Sequence, residues 1–164
     1  MQNTELTNVL NDLVRINNDR IEGYEHAMDE AKNIDVDLQA IFQRMIEESR
    51  KYKSELVQAI QSRGGEADSN ETTNSGKVYR VWMDLKNAFT GKDRKSVLES
   101  CEFGEDAAQK AYQHALESDA VMDTDIRQLI SKQKAELKSS HDLIKSYRDM
   151  HATVSKQMDK LSNI

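Results

Sequence analysis

The sequence contains no proline, a single cysteine and only six glycines, and aromatic residues make up 5% of its 164 positions. Each shortage excludes something. A chain of ordinary composition carries proline at about 5%, and a β-sandwich draws on proline and glycine for its turns. Their scarcity points instead to long uninterrupted helices. The lone Cys101 excludes an intramolecular disulfide and a thiolate metal cluster, and it suits a reducing cytoplasm. No stretch approaches the run of about 18 apolar residues that marks a membrane span, and Met1 leads straight into polar residues, which predicts no secretory signal. A net charge of −6 disfavours nucleic acid and anionic membrane as partners. No glycine-rich phosphate loop occurs: Thr90-Gly91-Lys92 lacks the spacing and strand context of one. No nucleophile–histidine–acid set can be nominated either, so hydrolases and nucleotide binders are set aside.

What is present is helical periodicity. The mean hydropathy is −0.79, as expected when amphipathic helices carry charged outer faces. Leu6, Leu10, Leu13, Ile21, Tyr24, Met28 and Ala31 recur at three- and four-residue steps, with Asn17 as the polar member of the stripe. After a polar break at 33–37, where Asp35 or Asp37 can cap, the second stripe runs Leu38, Ile41, Met45, Glu48, Tyr52, Leu56, Ala59 and stops at Gly64-Gly65. Residues 64–92 read as a crossover containing a short helix with Val78, Val81, Trp82, Leu85 and Phe89 on one face. The third stripe is Leu98, Cys101, Glu105, Ala108, Tyr112, Ala115. The fourth, capped by Asp123 or Asp125, is Leu129, Gln133, Glu136, Ser140, Leu143, Tyr147, Met150, with fraying expected beyond about residue 155.

A shift of 88 residues lays the second half on the first without a gap: Val9-Leu10 on Val97-Leu98, Tyr24-x-His26-Ala27 on Tyr112-x-His114-Ala115, Asp35-x-Asp37 on Asp123-x-Asp125, and Glu48 on Glu136. Two repeated helical hairpins in a single domain, 1–164, follow from it. The same shift pairs Asn17 with Glu105, so each long helix sets one polar residue in its apolar stripe at mid-bundle: Asn17, Glu48, Glu105 and Glu136. Three carboxylates buried together require compensation by metal, by shared protons or by basic neighbours. Carboxylates on facing helices are how two-metal bundles hold their ions. Lys51 and Arg44, one turn either side of Glu48, are the basic candidates.

The segments INNDRIEGYEHA, FQRMIEESRKYKSEL, SGKVYRVWMDLKNAFTGKDRKS, CEFGEDAAQKAYQHAL and DIRQLISKQKAELKSSHDLIK resemble an uncharacterised bacterial family of ferritin-like proteins, distantly similar to rubrerythrin and ferritin. The resemblance implies an all-α, ferritin-like up-down four-helix bundle. It also implies metal ligands at Glu48, Glu105, Glu136, Glu102 and Asn17, with Glu102-x-x-Glu105 similar to the paired glutamates of rubrerythrins. Asp19 and Glu22 flank Asn17. Lys51 and Ser139 stand where the Glu-x-x-His motif of that group has histidine, which argues against a histidine-containing catalytic centre. The expected function is a non-enzymatic bundle with a degenerate or remodelled carboxylate site, with a role in stress or metal homeostasis by analogy. It is expected as a cytoplasmic homodimer carrying iron or manganese, or no metal. The alternatives are a carboxylate-rich di-metal oxidase or peroxidase, and a helical protein-interaction module that uses the outer faces or the Trp82–Phe89 helix. His26 and His114 are expected at the surface, and His141 just off the seam. Tyr24, Tyr52 and Tyr112 are expected as core aromatics, and Cys101 as an inert buried thiol.

Overall fold

The computed structural model describes residues 4–30, 36–68 and 94–162. Four helices account for nearly all of them: α1 (Thr4–Glu30), α2 (Val36–Ser62), α3 (Arg94–Glu117) and α4 (Thr124–Ser162). There is no strand among the described residues, and no helix is long and apolar enough to cross a membrane. The crossover helix with Trp82 and Phe89, and the cap proposed at Asp35, lie outside the described residues.

The helices pack as a bundle of two pairs, α1 with α2 and α3 with α4, joined mainly through α1 and α3. Partners across each pair show the directions. Tyr24 stacks near Phe42 while Asn11 reaches Glu66, and Glu102 meets Arg148 while Gln109 reaches Lys134, so both pairs are antiparallel. Asn17 meets Tyr112 and Arg20 meets Glu105, so α1 and α3 are antiparallel as well. It follows that α2 and α3 run the same way.

Two apolar clusters fill the interior. One gathers Tyr24, Phe42, Met45, Leu98, Cys101 and Ile144; the other gathers Leu10, Leu13, Tyr52, Leu56, Tyr112 and Ile130. Between them lies a layer of buried polar side chains.

The helix ends follow their chemistry. Asp123 caps α4, its Oδ1 accepting from the Ile126 amide at 2.9 Å. That bond, with help from Arg63, holds its carboxyl below the usual range. Arg63 in turn ties the end of α2 to the start of α4 at 2.8 Å. At the end of α2 the Gly65 amide reaches the Ile60 carbonyl at 3.0 Å and the Gly64 amide reaches Gln61 at 3.1 Å. This is the paired closure of a Schellman turn. Gly64 sits at φ 78°, in the left-handed region, and a Cβ on Gly65 would come within 2.7 Å of Thr7 Oγ1. Glycine is favoured at both positions, for different reasons.

Two expectations are corrected. Helix α4 does not fray near 155 but stays helical to Ser162. Its buried ladder is Ile126, Ile130, Gln133, Leu137, Ser140, Ile144, one position round from the expected stripe, and Met150 is exposed. An apolar face wider than 100° admits two adjacent ladders, and packing against both α2 and α3 decides which is central.

Replacing Gly64 by alanine puts a Cβ in the left-handed region and is expected to lower stability by about 1 kcal/mol. The measurement is a urea midpoint shifted down at constant slope. An unshifted midpoint would show that the turn is not the stop for α2.

Candidate polar site at the bundle centre

The centre of the polar layer is a residue that the sequence reading passed over. Arg20 is fully buried, with 0% exposure, on the stretch of α1 that faces both α2 and α3. Its Nε donates to Glu105 Oε1 at 2.8 Å, and Nη1 donates to Ser49 Oγ at 2.8 Å and to the Met45 carbonyl at 3.2 Å. Nη2 lies 3.1 Å from Met45 Sδ and 3.5 Å from Glu48 Oε2. The guanidinium also stands 5.5 Å from the Tyr24 ring centroid, within cation–π range. Burial works against its charge, but Glu105 foremost, with Tyr24 and Glu48, more than reverses that and raises its pKa further above the ordinary arginine value.

Glu105 is equally buried. Its Oε1 accepts from both Arg20 and the Tyr24 hydroxyl, the latter at 2.6 Å. Its Oε2, like Asn17 Oδ1, is buried with no hydrogen-bond partner among the described residues. Glu48 is only half-buried. Its Oε2 accepts from Ser140 at 2.6 Å and its Oε1 pairs with the exposed Arg44 at 3.2 Å. Lys51, the other basic candidate, is exposed. Glu136 is half-buried near Tyr52; burial first, then Glu48 and Glu136, push that hydroxyl's pKa up. Asn17 donates to the Leu13 carbonyl and to Tyr112 Oη, both at 2.9 Å, and Tyr112 donates to Gln133 at 2.6 Å. Burial likewise raises the pKa of Cys101, Tyr24 and Tyr112, with Glu105 adding to the first two. All three are thereby kept protonated, and Cys101 is no nucleophile.

The structure therefore brings Glu48 and Glu105 to one guanidinium, leaves Glu136 near Tyr52, and places Asn17 in an adjoining chain of hydrogen bonds. Glu102 is not part of the group. It lies largely covered between α3 and α4 and pairs with Arg148. Of the residues flanking Asn17, Asp19 is buried and Glu22 exposed. Lys51 and Ser139 are both exposed, and the inward positions after Glu48 and Glu136 belong to Tyr52 and Ser140. His114 is exposed and His26 half-buried.

Two metal ions bridged by these carboxylates do not fit this arrangement. Glu105 Oε1 and Glu48 Oε2 are already engaged, a fixed cation lies against both, and no imidazole faces the layer from the expected positions. A polar layer of this kind can set helix register and orient buried carboxylates.

The signal for Arg20 was in the sequence. Strict alternation of three and four from Leu6 gives Leu10, Leu13, Asn17, Arg20, Tyr24 and Ala27, every one of them buried. Under the 88-residue shift Arg20 falls on Ala108, also fully buried, so the one half supplies the large cation and the other the space for it.

An all-helical bundle closed by an internal ion pair is the class that the geometry defines. Residues 5–118 match the model of a family described as a domain of unknown function (DUF2383), and the chain belongs to that family. The match covers α1 to α3, and so includes Arg20, Tyr24, Glu48 and Glu105 but not Ser140. No curated protein matches the chain.

Removing Arg20 leaves Glu105 buried without its partner, so Arg20→Met is expected to cost about 3–5 kcal/mol. Arg20→Met with Glu105→Gln should recover a large part of that loss. A double-mutant cycle on denaturant unfolding measures the coupling, and additive single effects would mean the pair is incidental.

Proposed function

We propose that this chain is a non-enzymatic, ferritin-like bundle whose carboxylate layer has been remodelled around an internal guanidinium. What supports the reading is Arg20: fully buried, bonded to Glu105 and close to Glu48, it supplies within the fold the positive charge that a metal ion supplies in two-metal bundles. The antiparallel hairpins and the parallel α2 and α3 agree with that lineage. In this reading the interior maintains the shape of the bundle, and the outer faces do the work. Exposed Val36, Phe103, Val121, Met158 and Leu161 provide apolar surface for association as a homodimer in the bacterial cytoplasm. A role in stress or metal homeostasis is the physiological setting that the ferritin resemblance suggests.

The test is cobalt(II) titration of the full chain, purified without a chelating tag, beside Fe(II)-dependent oxygen consumption. The expected result is oxygen uptake no faster than buffer, and a cobalt isotherm that Glu48→Gln leaves unchanged. Glu48 is half-exposed, so this variant should fold. Saturable binding lost with Glu48→Gln, or oxygen uptake abolished by it, would restore the carboxylate-rich oxidase in place of this proposal.

A further inference from the structure

A second group of ligating side chains lies away from the polar layer, in the groove between α3 and α4. Glu102 and Asp106 are one turn apart on α3 and share a face; His141 approaches from α4. One donor atom from each lies within 4.8 Å of the others. His141 and Glu102 are largely covered, with 17% and 14% side-chain exposure, whereas Asp106 at 50% leaves the mouth of the groove open to water.

We propose that this groove binds one divalent transition-metal ion through Glu102, Asp106 and His141 Nε2. The orientation of the imidazole carries the argument. His141 Nδ1 lies 3.1 Å from Asp142 Oδ1, and Asp142 is held in turn by Lys138 at 2.9 Å. With Nδ1–H donated to Asp142, the remaining lone pair is on Nε2, and Nε2 sits 2.5 Å from Asp106 Oδ1. Two lone pairs do not approach this closely unless a cation, a proton or a metal ion, lies between them. A carboxylate on the far ring nitrogen is also the usual way a metal-ligating histidine is fixed in tautomer and direction. Asp106 is exposed enough to turn so that Nε2 and Oδ1 both stand at about 2.0–2.2 Å from a zinc-like ion.

Three carboxylates, Glu102, Asp106 and Asp142, stand around the imidazole, and the cations paired with them are Lys138 on Asp142 and Arg148 on Glu102. Arg148 is the competitor, because it pairs with Glu102 and must release it, and it already holds Asp149 at 2.9 Å as an alternative partner. One imidazole with two carboxylates suits zinc, cobalt, nickel, manganese or ferrous iron better than calcium or magnesium, and three protein ligands leave positions for water.

The experiment titrates the full chain with Co(II) and Zn(II), followed by calorimetry and, for cobalt, visible absorption. One equivalent is expected to bind. Affinity should fall at least tenfold in His141→Gln and in Asp106→Asn, and rise in Arg148→Gln, where Glu102 is freed. Glu48→Gln should have no effect, which separates this groove from the central layer. All the variants alter partly exposed side chains, and circular dichroism checks that they fold. No saturable binding by the parent, or binding that His141→Gln leaves intact, would overturn the proposal and leave only a proton between His141 and Asp106.

Discussion

The bundle depends on one buried ion pair, Arg20 with Glu105. Each partner is completely removed from water, and neither is tolerable there alone, because an isolated charge in a protein interior costs many times what a single contact returns. The pair spans α1 and α3, the two helices that join the hairpins. Glu48 and Ser49 bring α2 to the same guanidinium, and Ser140 brings α4 to Glu48. All four helices therefore share one electrostatic constraint at a single level of the bundle. The apolar clusters on either side supply most of the burial, but they are permissive about rotation and sliding. The polar layer restricts both.

That constraint also accounts for the asymmetry between the repeats. The burial pattern carries over at Leu10 and Leu98, Tyr24 and Tyr112, Ala27 and Ala115, and Glu48 and Glu136. At Asn17 and Glu105, and at Arg20 and Ala108, burial carries over as well but the charge does not. A symmetric layer would place two guanidinium groups, or two carboxylates, opposite each other. The substitutions observed put one cation from the first half against one anion from the second. The tyrosines follow the same division. Tyr24 donates to Glu105 within the charged part of the layer, while Tyr112 connects Asn17 to Gln133 in a neutral chain.

Much of this could be read from the residues. The absence of proline, the three- and four-residue steps and the glycine pair after α2 gave the four long helices and, apart from the C-terminal end of α4, their ends to within a few residues. The polar layer was found from the repeat, including Glu105 and Asn17. Arg20 escaped because arginine is ordinarily a surface residue and Ile21, its neighbour, offers an apolar substitute one position round the helix. The rotation of α4 escaped for a related reason. Leu129, Leu143 and Tyr147 form as good a ladder as Ile126, Ile130 and Ile144, and only packing against two neighbours at once distinguishes them. That rotation is what carries His141 to Asp106, a meeting of two helices that no spacing within one segment encodes.

The central claim is that the Arg20 guanidinium is locked inside the bundle as its internal counter-charge. It is tested most directly by hydrogen exchange at arginine side chains, followed by nitrogen-15 NMR. The Arg20 Nε–H is expected to exchange only when the whole bundle unfolds, at the rate of the most protected backbone amides, while Arg44 Nε–H exchanges freely. An Arg20 signal that exchanges as fast as that of Arg44 would contradict the account.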